Sequence, residues 1–204
     1  MNRVHTNASF ALAAAAALSL AACSTAGSQA SAASPGLAPA PDPIASFEVV
    51  RAVLQSPRCV NCHPGGEAPT MGDDSRVHSQ RVVRGADGGG VAGLGCVDCH
   101  AKANAPDSYG QNQPPGVSTG WRMPPAAQKM VFAGLSSRDL CEQVKDPARN
   151  GGKSAAALMA HASADPLVLW GWAPGAGRKP VPVPHAEFVK AFAVWTGAGT
   201  PCPK

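Results

Sequence analysis

Two pentapeptides with the same spacing constrain this chain more than any other feature. They are Cys59-Val60-Asn61-Cys62-His63 and Cys96-Val97-Asp98-Cys99-His100. The spacing lets two thiols bond to the vinyl groups of one porphyrin while the adjacent histidine ligates its iron. The sequence therefore predicts two covalently bound haem c groups. The residues assigned to haem binding are Cys59, Cys62, His63, Cys96, Cys99 and His100, of which His63 and His100 are the iron ligands.

Paired cysteines also have other roles. A single pair can be a redox dithiol or half of a zinc site, and two pairs can together form a four-cysteine zinc ribbon. Neither role requires a histidine directly after each pair, whereas haem needs that histidine as its iron ligand. The repeated histidine therefore favours haem over zinc.

The N-terminus predicts export and membrane attachment. Arg3 and a polar stretch precede an apolar run at 10–22 that is too short to span a bilayer comfortably. This run ends in Leu20-Ala21-Ala22-Cys23, which resembles the bacterial lipobox, so Cys23 is the expected lipidation site. The alternative is ordinary cleavage at a small residue. We therefore expect an exported protein that is lipid-anchored to the bacterial membrane and faces the periplasm.

Composition divides the chain into three segments. Residues 1–22 are the lipoprotein signal peptide, and 23–43 predict a lipidated tether because they contain almost only Ala, Ser, Pro and Gly. Residues 44–204 are the predicted dihaem domain. The two motifs lie 37 residues apart, and a unit of that length buries too little surface to enclose a haem alone. The two haems are therefore expected to share one core.

The fold class predicted for this domain is mainly α with extensive loops. Apolar periodicity and capping residues predict helices at 43–55, 137–145, 154–164 and 185–196, with Asp42 and Ser136 as N-caps. Apolar residues never alternate with period two for long, so no strand is predicted. With the haems included, the expected architecture is cytochrome c-like, with two covalent haems in one core.

Two cysteines and the distribution of charge bear on the disulfide and on the possible partners. Cys141 and Cys202 remain once the haem and lipid cysteines are assigned, and an exported setting favours a disulfide between them. The alternative is a pair of buried free thiols. The formal net charge is +4, but the cations are scattered and form no polybasic run, which argues against nucleic acid as a partner.

The second axial ligand of each iron decides between an electron carrier and a haem enzyme. His78 is the first candidate because no packing role explains it in its polar stretch, and His161 is the second because it lies on a predicted helix. Met123, which precedes a proline on a loop, is the alternative distal ligand. The weaker candidates are Met71, Met130, Met159 and His185.

Several short motifs resemble a group of small exported bacterial dihaem proteins called isoquinoline 1-oxidoreductase subunits. The resemblance covers roughly residue 46 to the C-terminus and implies a dihaem cytochrome c. It also implies a molybdenum hydroxylase as partner, although no residue here is expected to bind molybdopterin. The matching segments are 59–64, Gly72-Asp73-Asp74, Arg84-Gly85, 96–100, Asn150-Gly151-Gly152-Lys153, 167–172 and Pro201-Cys202-Pro203.

The sequence thus predicts an electron-transfer lipoprotein more than a stand-alone enzyme. Electrons would pass from a dehydrogenase or quinol-oxidising partner to a downstream cytochrome or oxidase. The alternative is a haem enzyme with one open iron site and peroxidase-like or small-ligand chemistry. Such an enzyme needs an acid or base near the iron, and the loop at 101–125 offers only Asp107 as a carboxylate.

Overall fold

The structure, a computed structural model, describes residues 40–204, which belong to one compact unit. The predicted signal peptide, the lipidation site Cys23 and most of the tether lie outside the described residues. Within 40–204, no helix is both long enough and apolar enough to cross a membrane.

The described chain is mainly helical and has long irregular segments. The four predicted helices are present, each within about one residue of its predicted ends, and two short helices accompany them. The helices are α1 (Pro43–Leu54), α2 (Pro57–Val60), α3 (Ser137–Lys145), α4 (Ala155–Ala164), α5 (Pro166–Leu169) and α6 (His185–Gly197). Single turns of 3-10 helix lie at Cys96–Asp98, Asp107–Tyr109, Ala126–Gln128 and Trp170–Trp172.

Capping side chains explain where α1 and α3 begin. The Asp42 carboxylate accepts a hydrogen bond from the amide of Ile44 at 2.9 Å, as the predicted N-cap of α1. Ser136 caps α3 by accepting from the amide of Asp139 at 3.1 Å. Each contact satisfies an amide that lacks a partner in the first helical turn. The two predicted caps are confirmed.

The prediction that the domain has no strands was wrong. Two antiparallel hairpins are present, each made of two-residue strands: β1 (Thr70–Met71) with β2 (Arg76–Val77), and β3 (Gly90–Val91) with β4 (Leu94–Gly95). Strands this short cannot show the alternation over four or more residues that marks a strand in sequence. The second hairpin leads directly into the second motif.

The hydrophobic core lies where α1 and α6 pack together, with α3 and α4 beside them. Phe47 of α1 contacts Trp195 of α6 with ring centroids 5.0 Å apart, and neither side chain is exposed. A disulfide joins Cys141 of α3 to Cys202, the pair that the sequence suggests. The Trp195 indole donates to the carbonyl of Pro201, so the C-terminal tail is held against the core twice.

Removing the disulfide should destabilise the domain. Its cysteines are 61 residues apart, so the bond restricts a long loop in the unfolded chain. We expect the double change Cys141→Ala with Cys202→Ala to lower the free energy of unfolding by about 2–4 kcal/mol, measured by urea unfolding. Lys204→Ala, which alters the same exposed tail and leaves the disulfide, is the control. An unchanged urea midpoint in the double variant would contradict the prediction.

Candidate haem sites

Both motifs fold into a single helical turn. In the first, the amides of Cys62 and His63 both donate to the carbonyl of Cys59, each at 3.1 Å. The second motif, at 96–100, repeats this pattern with distances of 3.3 and 3.0 Å. In one helical turn, residues three and four positions apart lie on the same face. Each motif therefore presents two thiols and one imidazole on one face, as attachment to a single porphyrin requires.

A backbone carbonyl fixes the ring of each motif histidine. His63 donates from Nδ1 to the carbonyl of Met130 at 2.7 Å, and His100 donates from Nδ1 to the carbonyl of Pro115 at 2.7 Å. These bonds select the tautomer in which Nε2 carries the free lone pair. Metal-ligating histidines in proteins typically have such a bond at the second ring nitrogen. Both histidines thus have the arrangement of an axial ligand.

An aromatic ring stacks on each of the same imidazoles. Phe132 lies 4.0 Å from His63 between ring centroids at an interplanar angle of 11°, and Trp121 lies 4.9 Å from His100 at 7°. Burial lowers the pKa of His63 to about 4, against the opposing effect of its bond to Met130, and burial also lowers the pKa of His100. Both rings are therefore neutral at physiological pH, which is the form that binds a metal ion.

A cavity of about 450 Å³ opens beside the first motif. Its wall includes Cys59, Cys62 and His63 on one side, and apolar side chains of the core such as Leu158 and Phe188. Pockets for cofactors commonly have volumes of about 300–1,000 Å³ and mostly apolar walls. The size and lining of this cavity fit a large flat apolar ligand.

None of the four motif cysteines is in a disulfide. Burial raises the pKa of the Cys59 thiol to about 11 and that of the Cys62 thiol to about 12. The Cys96 thiol lies 3.8 Å from the carbonyl of Gly88, which also accepts from the amide of Met123 in the wall of the first cavity. The loop at Gly88 and Met123 therefore contacts both motifs.

Two of the predicted distal ligands line the cavity of the first motif. His161 donates from Nδ1 to the Asp165 carboxylate at 2.9 Å, which leaves Nε2 free. Met123 is buried in the same wall, with 4% of its surface exposed. His161 and Met123 are therefore both placed at the cavity of the first motif.

His78 lies close to the histidine of the second motif. The ring centroids of His78 and His100 are 6.3 Å apart. A metal–imidazole bond is about 2.0 Å long and the ring centre lies about 1.1 Å further on, so two imidazoles on opposite sides of one metal ion have centres about 6 Å apart. The Nδ1 atom of His78 is also buried without a hydrogen-bond partner. The separation of the two rings is thus that of two imidazoles on one metal ion.

The second site is more exposed to solvent than the first. Cys99 is exposed, whereas Cys59 and Cys62 are half-buried. Five of the seven exposed large apolar side chains of residues 40–204 fall at 77–97, around and before the second motif: Val77, Val83, Val91, Leu94 and Val97.

The weaker candidates have other contacts. The sulfur of Met71 accepts from the amide of Ser79 at 3.4 Å, and Nε2 of His185 bonds the carbonyl of Ala162 at 3.1 Å. Met159 packs against the core. Within 40–204, no group of three or more His, Cys, Asp or Glu side chains is arranged to hold a metal ion, so the four motif cysteines do not form one zinc-type ligand set.

Sequence reasoning missed three charged residues at the sites. Arg84 is fully buried and donates to the carbonyls of Gly66 and Pro124, at 3.2 and 2.7 Å, so it ties the loop after the first motif to the loop after Trp121. Arg58 is buried beside Cys59 and pairs with Asp73 at 2.7 Å. Asp165 holds His161. Of these three residues, only Asp165 could have been found from the sequence. It follows His161 by four residues at the end of a predicted helix, a spacing that brings two side chains together.

The chain matches no family model, no curated protein and no solved structure. The assignment of the sites therefore rests on the residues and their geometry.

Loss of the Arg84 guanidinium should loosen the packing between the two sites. Arg84→Met removes the donor to the carbonyls of Gly66 and Pro124 and the ion pair with Glu67, which is half exposed, so we expect the free energy of unfolding to fall by about 1–3 kcal/mol. Arg84→Lys keeps the charge but loses the forked geometry of the guanidinium. Its free energy of unfolding should therefore lie between those of the wild type and Arg84→Met. Urea unfolding followed by circular dichroism measures both.

The matched control for this experiment is Arg149→Met, because Arg149 is exposed. Equal stability of Arg84→Met and Arg149→Met would contradict the structural role given to Arg84.

Proposed function

We propose that this protein is a dihaem c-type cytochrome that carries electrons. The observation that supports it most is the repeated turn, in which each imidazole bonds a backbone carbonyl through Nδ1 and keeps Nε2 free. At the second motif another imidazole lies at the separation expected across one metal ion. Neither a redox dithiol nor a zinc ribbon accounts for these paired features.

The haem-binding residues divide into two sets. Cys59 and Cys62 hold the first haem and Cys96 and Cys99 the second, each pair through thioether bonds, and the motif histidine of each set is the proximal iron ligand. When bound, each haem accepts and releases one electron at a time. The protein fixes the orientation of the imidazoles through the carbonyls of Met130 and Pro115.

We assign His78 to the second haem as distal ligand and His161 to the first. Asp165 supports the assignment of His161 to the first haem. Its carboxylate orients the imidazole ring and makes Nε2 a stronger ligand for iron. Met123 is the alternative at the first haem, since it lines the same cavity. A histidine pair and a histidine–methionine pair give different reduction potentials, with the methionine raising the potential.

The difference in exposure gives the two haems different tasks. The first haem would lie against the core, whereas the second would lie near exposed apolar side chains such as Val91 and Val97. We therefore place the contact with soluble redox partners at the second haem. The donor is a dehydrogenase or quinol-oxidising protein, and the acceptor is another cytochrome or an oxidase. Lipidation at Cys23 would keep the protein on the periplasmic side of a bacterial membrane.

The motifs shared with the isoquinoline 1-oxidoreductase subunits support the dihaem assignment. They include residues that now have a physical role, since Arg84 holds the loops of the two sites together and Cys202 closes the disulfide. We propose membership of this group of small exported dihaem proteins for the folded domain alone.

A second function is favoured by one contact, between His161 and Asp165. An imidazole held by a carboxylate beside a cofactor cavity can also serve as a general base for a small ligand such as peroxide. In that case His161 would not ligate iron, and the protein would be a haem enzyme with one open site. The two functions differ in whether the first iron is six-coordinate.

Haem content tests the main proposal directly. We expect the full-length protein, produced in a host that matures cytochromes c, to carry two haems per chain by intact mass and by peroxidase staining of a denaturing gel. Cys59→Ala with Cys62→Ala, or Cys96→Ala with Cys99→Ala, should each leave one haem, because each pair holds its own porphyrin.

Cys23→Ser is the matched control for cysteine loss. This variant should no longer be found in the membrane fraction, but it should still carry both haems. The reason is that Cys23 is proposed to hold the lipid anchor and not a porphyrin. A wild-type mass without any covalent haem would refute the proposal.

Single changes at the distal histidines separate a carrier from an enzyme. In the wild type we expect low-spin ferric signals by electron paramagnetic resonance and no carbon monoxide binding after reduction. His78→Ala and His161→Ala should each convert one of the two haems to a form that binds carbon monoxide, because each loses one strong axial ligand. His185→Gln is the control, since His185 bonds a backbone carbonyl.

The first haem gives two further outcomes. If Met123→Leu makes the first haem bind carbon monoxide and His161→Ala does not, Met123 is the distal ligand of that haem. Carbon monoxide binding to one haem of the wild type would favour the enzyme.

A further inference from the structure

Trp121 contacts both candidate haem sites. Its indole stacks on the imidazole of His100 with ring centroids 4.9 Å apart and an angle of 7° between the planes. The same residue lines the cavity of the first motif. Its ring also meets Trp170, another cavity residue, edge to face at 4.8 Å. One side chain therefore joins an axial ligand of the second haem to the wall around the first.

The surroundings of Trp121 hold it in place. The next residues of its loop are fixed by the amide of Met123, which donates to the carbonyl of Gly88 at 2.9 Å, and by the bond from Arg84 to Pro124. Trp170 donates from its indole nitrogen to Asn104 at 3.0 Å. The loop that carries Trp121 and its neighbour Trp170 are thus both held by hydrogen bonds to other parts of the chain.

The two stacked aromatic contacts of the motif histidines are not equivalent. Phe132 stacks on His63 and belongs to the core cluster, so it connects the first site to the protein interior. Trp121 stacks on His100 and faces the other site. This asymmetry gives Trp121 a role that packing around a single haem would not require.

We propose that Trp121 is the contact through which the two haems exchange electrons, an inference that rests on the proposed dihaem function. With both haems bound, Trp121 and His100 would provide the aromatic path along which one electron passes between them. The electron lost by one haem would be the one gained by the other, so the exchange balances without a proton. The indole would be left unchanged, because it would be the medium of the exchange and not a stored oxidation state.

The test measures electron exchange inside one molecule. In half-reduced wild-type protein, two-dimensional exchange NMR of the haem methyl groups gives the rate of electron exchange. Exchange between molecules depends on protein concentration, so the part of the rate that does not depend on it is the intramolecular part. Trp121→Leu should slow this part by about one order of magnitude, because it removes the aromatic contact and its orientation. Trp121→Phe keeps a stacked ring and should stay close to wild type.

Trp172→Leu is the matched control, because Trp172 packs on His185 and Phe188 and contacts neither motif histidine. An unchanged rate in Trp121→Leu, or equal slowing in Trp172→Leu, would overturn the proposal. A changed ferric resonance signal of one haem at an unchanged rate would also overturn it, since Trp121 would then only position His100. If Trp121→Leu fails to fold, Trp121→Met carries the same comparison.

Intact mass separates the two levels of failure. Two haems per chain with an unaffected exchange rate would sink the role of Trp121 alone. A chain without covalent haem would sink the proposed function, and this inference with it.

Discussion

The spacing of three and four residues within one helical turn is the constraint from which the rest of the structure follows. It places two thiols and an imidazole on one face, but it supplies nothing that holds the imidazole in one orientation. Those contacts must come from elsewhere in the chain. The fold solves the problem twice, with a carbonyl from Met130 or Pro115 and an aromatic ring from Phe132 or Trp121.

A single irregular segment at 115–132 supplies these contacts to both sites. It has only one turn of 3-10 helix, so its shape depends on contacts with other parts of the chain. Arg84 provides one through Pro124, and Gly88 provides another by accepting from Met123. Gly88 has a φ of +86°, and a Cβ there would lie 2.0 Å from the Met123 carbonyl, so only glycine fits this close approach.

The sequence predicted those parts that depend on local chemistry. The helices α1 and α3 have side-chain caps and regular apolar spacing, and the motif itself is local, so all of these were recognisable. The hairpins were missed because two-residue strands have no period. Arg84 was missed because burial of a charged side chain depends on carbonyls that come from distant loops. For the same reason, the sequence left open which site each of His78 and His161 belongs to, and only the packing of the loops separates them.

The cavity beside the first motif has a consequence for the stability of the folded chain. It leaves core side chains such as Leu158 and Phe188 without packing partners on one side. A ligand that fills the cavity would supply those partners and would stabilise the fold through its binding. Under the proposed function, attachment of the first haem and completion of the core would therefore be coupled, and a chain without haem would be cleaved more readily by proteases.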